Sequence, residues 1–231
     1  MARVNLLETR TANFGDLMSS SRTYRVPPFQ RDYSWEAENW EDLWRDILAL
    51  RDDPESSHYM GAVVLQSQDE KEFTIIDGQQ RFATLSLVAI AVLQKIEELA
   101  QRNIEPDANR ERQRILRRTF LGDKDPRSLR YSSKLFLNEN NDDFYQSFLL
   151  QLRTPLNTRT LSRSNRLLWD AFRYFVTELS KLGDVVSSGE SLAAFLTDIV
   201  ASQLLFIQIN VENELNAYTV FETLNARGVE L

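Results

Sequence analysis

Between residues 82 and 93 only Thr84 and Ser86 interrupt an otherwise apolar run. That run is far short of the roughly 20 residues that span a bilayer. It leaves no face for water, so it predicts a helix buried on nearly all sides, the spine of the fold. Upstream, residues 72–76 read as a strand, paired in a hairpin with residues 60–66 across the polar turn at 67–71. Asp77-Gly78 ends that strand, and Gln79-Gln80-Arg81 opens the helix directly.

Other elements follow from spacing and from the breakers. The first 21 residues read as a short helix with Phe14, Leu17 and Met18 on its apolar face. Pro27 and Pro28 forbid a helix and impose an extended run over residues 24–31. Ser34 is the expected N-cap of a helix over residues 35–50, with Trp40, Leu43, Trp44, Ile47 and Leu48 at helical spacing. Trp35, Trp40 and Trp44 are expected to cluster beside the proline segment. Helices are predicted over residues 138–150, 161–182, 191–202 and 215–225, with a strand over residues 203–211. The fold class is α+β: a small mixed sheet from the regions 24–31, 60–66, 72–76 and 204–211, with helices making up most of the mass. Residues 1–100 are expected to form the core, and residues 101–231 a helical portion that returns one strand. The stop at Leu231, just after a helix-ending glycine, suggests a piece of a longer protein.

Composition removes many chemistries. The 231 residues are 42% hydrophobic and 26% charged, an ordinary globular mixture. With no cysteine and a single histidine, His58, there is no thiolate zinc site and no multi-histidine centre. A metal would have to be a hard, oxygen-liganded ion such as Mg²⁺. His58 itself reads as an exposed loop residue. The N-terminus has no apolar signal region, so a soluble cytoplasmic protein without membrane contact is expected. A net charge of −7 argues against uniform coating of nucleic acid. Residues 102–134, however, hold ten Arg or Lys against five acids. Arg110, Arg112, Arg114, Arg117 and Arg118 fall on a helix with several on one face, which suggests weak, salt-sensitive binding to DNA phosphates. A solvated helix face reads the same way.

Three polar constellations stand out. At residues 75–81 a strand delivers Asp77, Gly78 turns the chain, and the unpaired N–H groups of a helix start make an anion site. There Arg81 could donate to a phosphate, Asp77 could hold Mg²⁺ or Mn²⁺, and Gln79 or Gln80 could orient a water or a sugar hydroxyl. A tight strand-to-helix turn with polar caps is the plainer alternative. The segment containing Tyr24, Pro27, Pro28, Phe29, Gln30, Arg31, Tyr33 and Trp35 could line the same pocket, its aromatics packing on a base. Its alternative has Tyr33 and Trp35 as core anchors and Arg31 paired with Asp32 or Glu36. The third, at residues 221–228, either brings Glu222, Asn225 and Arg227 towards a site or is a basic helix C-cap. Asp77 and Arg81 are expected to tolerate alanine without loss of fold if both are exposed in a pocket.

Taken together, Pro-Pro-Phe-Gln-Arg-Asp-Tyr-Ser-Trp at 27–35, Tyr-Met-Gly-Ala-Val-Val-Leu at 59–65, Asp-Gly-Gln-Gln-Arg at 77–81 with Thr84-Leu85, and Phe-Glu-Thr-Leu-Asn-Ala-Arg-Gly at 221–228 resemble the N-terminal domain of GmrSD-type restriction endonucleases. The resemblance covers nearly the whole chain and implies a ParB/sulfiredoxin-like fold. In that fold a Gln-Arg segment (Gln30, Arg31) and a Gly-x-x-Arg helix start (Gly78, Arg81) form a nucleotide pocket, with Thr84 where ParB proteins commonly carry alanine. It implies nucleotide contacts at Gln30, Arg31, Gly78, Arg81, Thr84 and Asn225, and catalysis by Asp77, Gln79, Gln80 and Arg81. The implied activity is divalent-metal-dependent hydrolysis of a nucleoside triphosphate in a phage-defence or modified-DNA restriction system. DNA cleavage would fall to a separate His-Asn-His-type nuclease domain or subunit. A DNA-binding module through Arg112, Arg114, Arg117 and Arg118, a ParB-like nuclease, and oligomerisation remain open beside it.

Overall fold

The helix that the sequence makes most apolar lies at the centre of the fold. In a computed structural model, which describes residues 7–19, 21–67, 69, 71–124, 127–129 and 131–211, no residue from 82 to 93 is more than 2% exposed. The described residues open with strand β1 (Leu7–Asn13) and helix α1 (Phe14–Ser19), which buries Phe14, Leu17 and Met18. The expected N-terminal helix is thus shorter than read, and residues 7–13 form an edge strand instead. Next come β2 (Thr23–Arg25) and α2 (Ala37–Asp52). The extended run ends early, because the two prolines turn the chain and the Gln30 N–H donates to the Pro27 carbonyl at 3.1 Å. The α2 cap is Glu36 rather than Ser34, its N–H donating to the Asn39 side chain at 3.0 Å. Ser34 is drawn away, with its own N–H donating to Gln80 at 2.9 Å.

The hairpin follows as β3 (His58–Ser67) and β4 (Glu72–Asp77), and then the central helix α3 (Gln79–Gln101). Beyond it lie α4 (Pro106–Phe120), the small ladder β5 (Gly122–Lys124) with β6 (Tyr131–Ser133), and β7 (Leu135–Phe136). Helix α5 (Glu139–Phe144) runs on through a π-helical turn at Tyr145–Leu149. Helix α6 (Arg163–Lys181) precedes α7 (Gly189–Ala194), which also widens into a π-helical turn, at Phe195–Ala201. Strand β8 (Leu204–Val211) completes the described residues. The expected helix at 215–225 lies outside them.

The six-stranded mixed sheet has the order β1-β8-β3-β4-β2-β7. Strand β8 enters its interior, antiparallel to β1 and parallel to β3. Period-two alternation divides the sheet. Tyr24, Val63, Leu65, Phe73, Ile75 and Phe206 join the main core with α3. Val64, Ile76 and Val211 form a small cluster on the opposite face. Helices α4 and α6 pack on the other flanks of α3, so the helix meets protein all round. Trp40 and Trp44 share one core cluster with Val26 and Tyr33, and Trp35 packs against it. Trp40 packs on Tyr174, and Trp44 on Phe175 and Phe195, joining α2 to α6 and to the turn after α7.

Candidate functional site

The junction at residues 77–81 is built on one obligatory glycine. Gly78 has φ +99°, and a Cβ there would lie 3.1 Å from Val63 Cγ2. A left-handed residue lets β4 turn directly into α3 without a connecting loop. The first helical bond runs from Phe82 N–H to the Gly78 carbonyl at 3.0 Å. The N–H groups ahead of it have no intrahelical acceptor, no side chain caps this end, and no acid sits in the first turn. A helix of 23 residues therefore points its positive end at this corner.

The two glutamines bind the 30–34 segment to that corner. Gln80 accepts from Ser34 N–H at 2.9 Å and donates to the Asp32 carbonyl at 3.1 Å. Both ends of its amide are thus engaged. Gln79 donates to Gln30 Oε1 at 3.2 Å, and Gln30 donates to the Ile76 carbonyl at 2.9 Å. Gln79 Oε1 has no donor among the described residues, so it is the glutamine that keeps an open acceptor. Arg31 is exposed and has no ion-pair partner among the described residues. The acids expected to pair with it are taken: Glu36 binds Arg163 at 2.7 Å, and Asp32 is held by amides.

Asp32 is the centre of a polar cluster that sequence reasoning missed. Asn138 and Asn140 donate to Asp32 Oδ1 at 2.7 and 3.0 Å, and Ser164 donates to its other oxygen at 3.3 Å. The Asn140 donor, against partial desolvation and with help from Asn138 and Ser164, holds the Asp32 carboxyl below its ordinary range. Asn138 also donates to the Gln30 carbonyl at 3.1 Å, which fixes its amide orientation. Its Oδ1 is then left buried without a donor. Asn138 lines a small pocket whose polar walls are Arg31, Tyr33, Gln79, Gln80 and Asn141 and whose apolar walls are Val26, Ala83 and Leu137. The pocket holds about 10 Å³, the room of a single water. The only hint in the sequence was the Asn-Glu-Asn-Asn run at 138–141, more than a hundred residues from Arg31.

Arg81 lies away from that pocket. Its guanidinium donates to the Met60 carbonyl at 2.6 Å and the Ala62 carbonyl at 2.7 Å, and lies 3.5 Å from Asp77. These carbonyls flank Gly61, at φ +96°, where the pairing of β3 with β8 slips. Arg81 therefore clamps an irregular strand. Its side chain is 13% exposed. Burial lowers its pKa, and the Asp77 carboxylate opposes that shift. The pocket-exposed position assumed for Arg81 in the sequence is not the one it occupies. Thr84 is also placed differently. It is fully buried, and its hydroxyl lies 2.8 Å from both the Tyr33 hydroxyl and the Gln80 carbonyl. Tyr33 is a core anchor, also accepting from Trp40 Nε1 at 3.0 Å.

The remaining candidates are dispersed. On α4, Arg110, Arg112, Arg114 and Arg118 lie 2.6–3.2 Å from Asp107, Glu105, Glu111 and Asp123 respectively. Arg117 donates to the Leu150 carbonyl at 2.5 Å. His58 opens β3 and faces Asp46 at 3.4 Å. Asn225, with Glu222 and Arg227, lies outside the described residues. Among the described residues no three His, Cys, Asp or Glu side chains gather into a metal site.

No helix among the described residues is long and apolar enough to cross a membrane. No curated protein matches the chain. Among protein families, residues 14–231 match the GmrSD restriction endonuclease, N-terminal domain, and that span takes in the glycine junction, the glutamine pair and the Asp32 cluster together. The chain belongs to the family of GmrSD restriction endonuclease N-terminal domains.

Proposed function

We propose that the domain binds and hydrolyses a nucleoside triphosphate and so regulates a bacterial phage-defence or modified-DNA restriction system. DNA would be cut by a His-Asn-His-type nuclease domain or subunit. The observation that carries this reading is the uncapped start of α3 beside the unpaired, exposed Arg31. Backbone N–H groups, a helix dipole and a free guanidinium converge there, which is the chemistry that holds phosphate. Family membership supports a regulatory role upstream of cleavage.

The donor set fits Mg²⁺ or Mn²⁺ delivered with the nucleotide. Such an ion commonly takes one or two protein carboxylates and fills its other positions with phosphate and water. Asp77, half-buried at the end of β4, would supply that carboxylate, and the ion would neutralise phosphate charge. Gln79, through its open acceptor, would orient the attacking water. Arg31 would balance charge developing on the phosphoryl oxygens. Gln80 and Arg81 hold the corner in shape: the first fixes the 30–34 segment, the second fixes β3.

The test is phosphate release by the whole chain with Mg²⁺ or Mn²⁺, beside thermal melting. Turnover should vanish on chelation, and Asp77→Asn, Gln79→Ala and Arg31→Ala should each lower it at least tenfold with little change in melting. Undetectable turnover with any of the four common triphosphates, or full activity in Asp77→Asn, overturns the reading.

A further inference from the structure

The pocket beside Arg31 is too small for more than a water, so a nucleotide bound at the α3 corner must place its base elsewhere. A second hollow adjoins it. This cleft of about 580 Å³ lies on the open face of the sheet and shares Val26 and Leu137 with the small pocket. Its volume is in the range of small-molecule sites. Strand register builds its floor: Phe136, Arg25, Thr74 and Gln66 are successive cross-strand partners on β7, β2, β4 and β3. Ile76 lies two residues along β4 on the same face. The Ile76 carbonyl accepts from Gln30, whose other amide end binds Gln79. Gln30 therefore ties the floor of the cleft to the helix start.

The walls have the chemistry of a base seat. Phe29 is 76% exposed on the rigid Pro27-Pro28 turn. Holding a phenyl ring in water is unfavourable, and the prolines keep it from folding back. Across the cleft the Arg25 guanidinium lies 4.1 Å above the Phe136 ring, giving a flat, layered surface. Two carboxylates come from α5. Asp142 is engaged, accepting from Leu137 N–H at 2.9 Å and from Gln146 at 3.1 Å. Glu139 is exposed and has no partner among the described residues. It presents an acceptor-only group to the cleft.

We propose that this cleft seats the heterocyclic base of the nucleotide, stacked on Phe29, with Glu139 accepting a hydrogen bond from an exocyclic amino group. The inference rests on the nucleotide reading above and adds where the base lies and which bases are preferred. Adenine, cytosine and guanine carry such an amine and uracil does not. The phosphates would pass Gln30 to reach the α3 start.

The experiment is equilibrium binding, with Mg²⁺, of ATP, CTP, GTP, UTP, inorganic tripolyphosphate and free adenosine to the whole chain. Wild type should bind ATP more tightly than tripolyphosphate, and UTP most weakly of the four nucleotides. Phe29→Ala should weaken ATP roughly tenfold, the scale of one base–aromatic stack, and leave tripolyphosphate unchanged. Glu139→Gln should narrow the gap between ATP and UTP. Both side chains are exposed, and matched melting curves will confirm folding. Equal affinity for ATP and tripolyphosphate in wild type, or no effect of Phe29→Ala on ATP, overturns the base seat while leaving phosphate binding standing. Adenosine binding that Phe29→Ala abolishes, with no tripolyphosphate binding, supports the seat and removes the hydrolytic reading. Absence of binding by every probe overturns both.

Discussion

Arg81 shows how a residue of a polar motif can be engaged by the fold itself. Its guanidinium donates to two β3 carbonyls beside the slip at Gly61. Truncating it removes both of those charged hydrogen bonds from a largely buried place. Hydrogen bonds to a charged group contribute about 1.5–3 kcal/mol. Arg81→Ala is therefore expected to cost about 2–3 kcal/mol and lower Tm by roughly 4–12 °C. Arg81→Lys should recover only part of this, because an ammonium lacks the fork that spans two acceptors. Thermal melting of the three proteins checks it, and an unchanged Tm in Arg81→Ala would return the residue to the ligand. Loss of hydrolysis in Arg81→Ala cannot by itself name a catalytic group. Arg31→Ala is the cleaner probe, since that side chain is exposed and unpaired.

Among the elements, the β4–α3 junction depends on Gly78. A left-handed conformation costs an ordinary residue about 1–2 kcal/mol, and the new methyl would also press on Val63 at 3.1 Å. Gly78→Ala should lower the urea midpoint by that energy divided by the m-value, with the m-value itself unchanged; an unshifted midpoint would mean that the turn is soft. This junction was legible in the sequence, because a strand, Asp-Gly and an apolar run leave few alternatives. The hairpin, α3, α6 and β8 were legible for the same reason: their periodicity is strong. Strand β1 was not. Glu8, Thr9, Arg10 and Thr11 are all exposed at the sheet edge, so no apolar alternation marks them. Strand β7, only two residues long, carries no period at all. The site was half legible. Gln30, Arg31 and the 77–81 run announced themselves as polar insertions among apolar neighbours. Asp32, Asn138 and Ser164 did not, because three unremarkable polar residues from distant segments become a cluster only when the fold joins them.

For the molecule as a whole, the basic stretch matters less than its arginine count suggests. Four of the five α4 arginines face a carboxylate, and those carboxylates would stay beside any bound phosphate and repel it. Five phosphate contacts would give a slope of roughly −4.5 for the logarithm of DNA affinity against that of salt. The expected slope is about −1 to −2, steepening in Glu111→Gln, where Arg114 is released. A salt titration on duplex DNA checks this, and a steep wild-type slope would favour a DNA-reading module. The sheet is the other property of the whole chain. Strand β8 lies between β1 and β3, so β1 must wait for a strand made almost two hundred residues later, and β3 for one made about 140 residues later. At about 5–20 residues per second, a translating ribosome needs roughly 10–40 s to supply it. Until then β1 has no partner strand and the flank of β3 away from β4 is open, and open strand flanks invite pairing with other chains. The order of synthesis thus gives this domain a vulnerable adolescence, which a holdase covering the nascent chain would shield and a pause just before residue 204 would prolong.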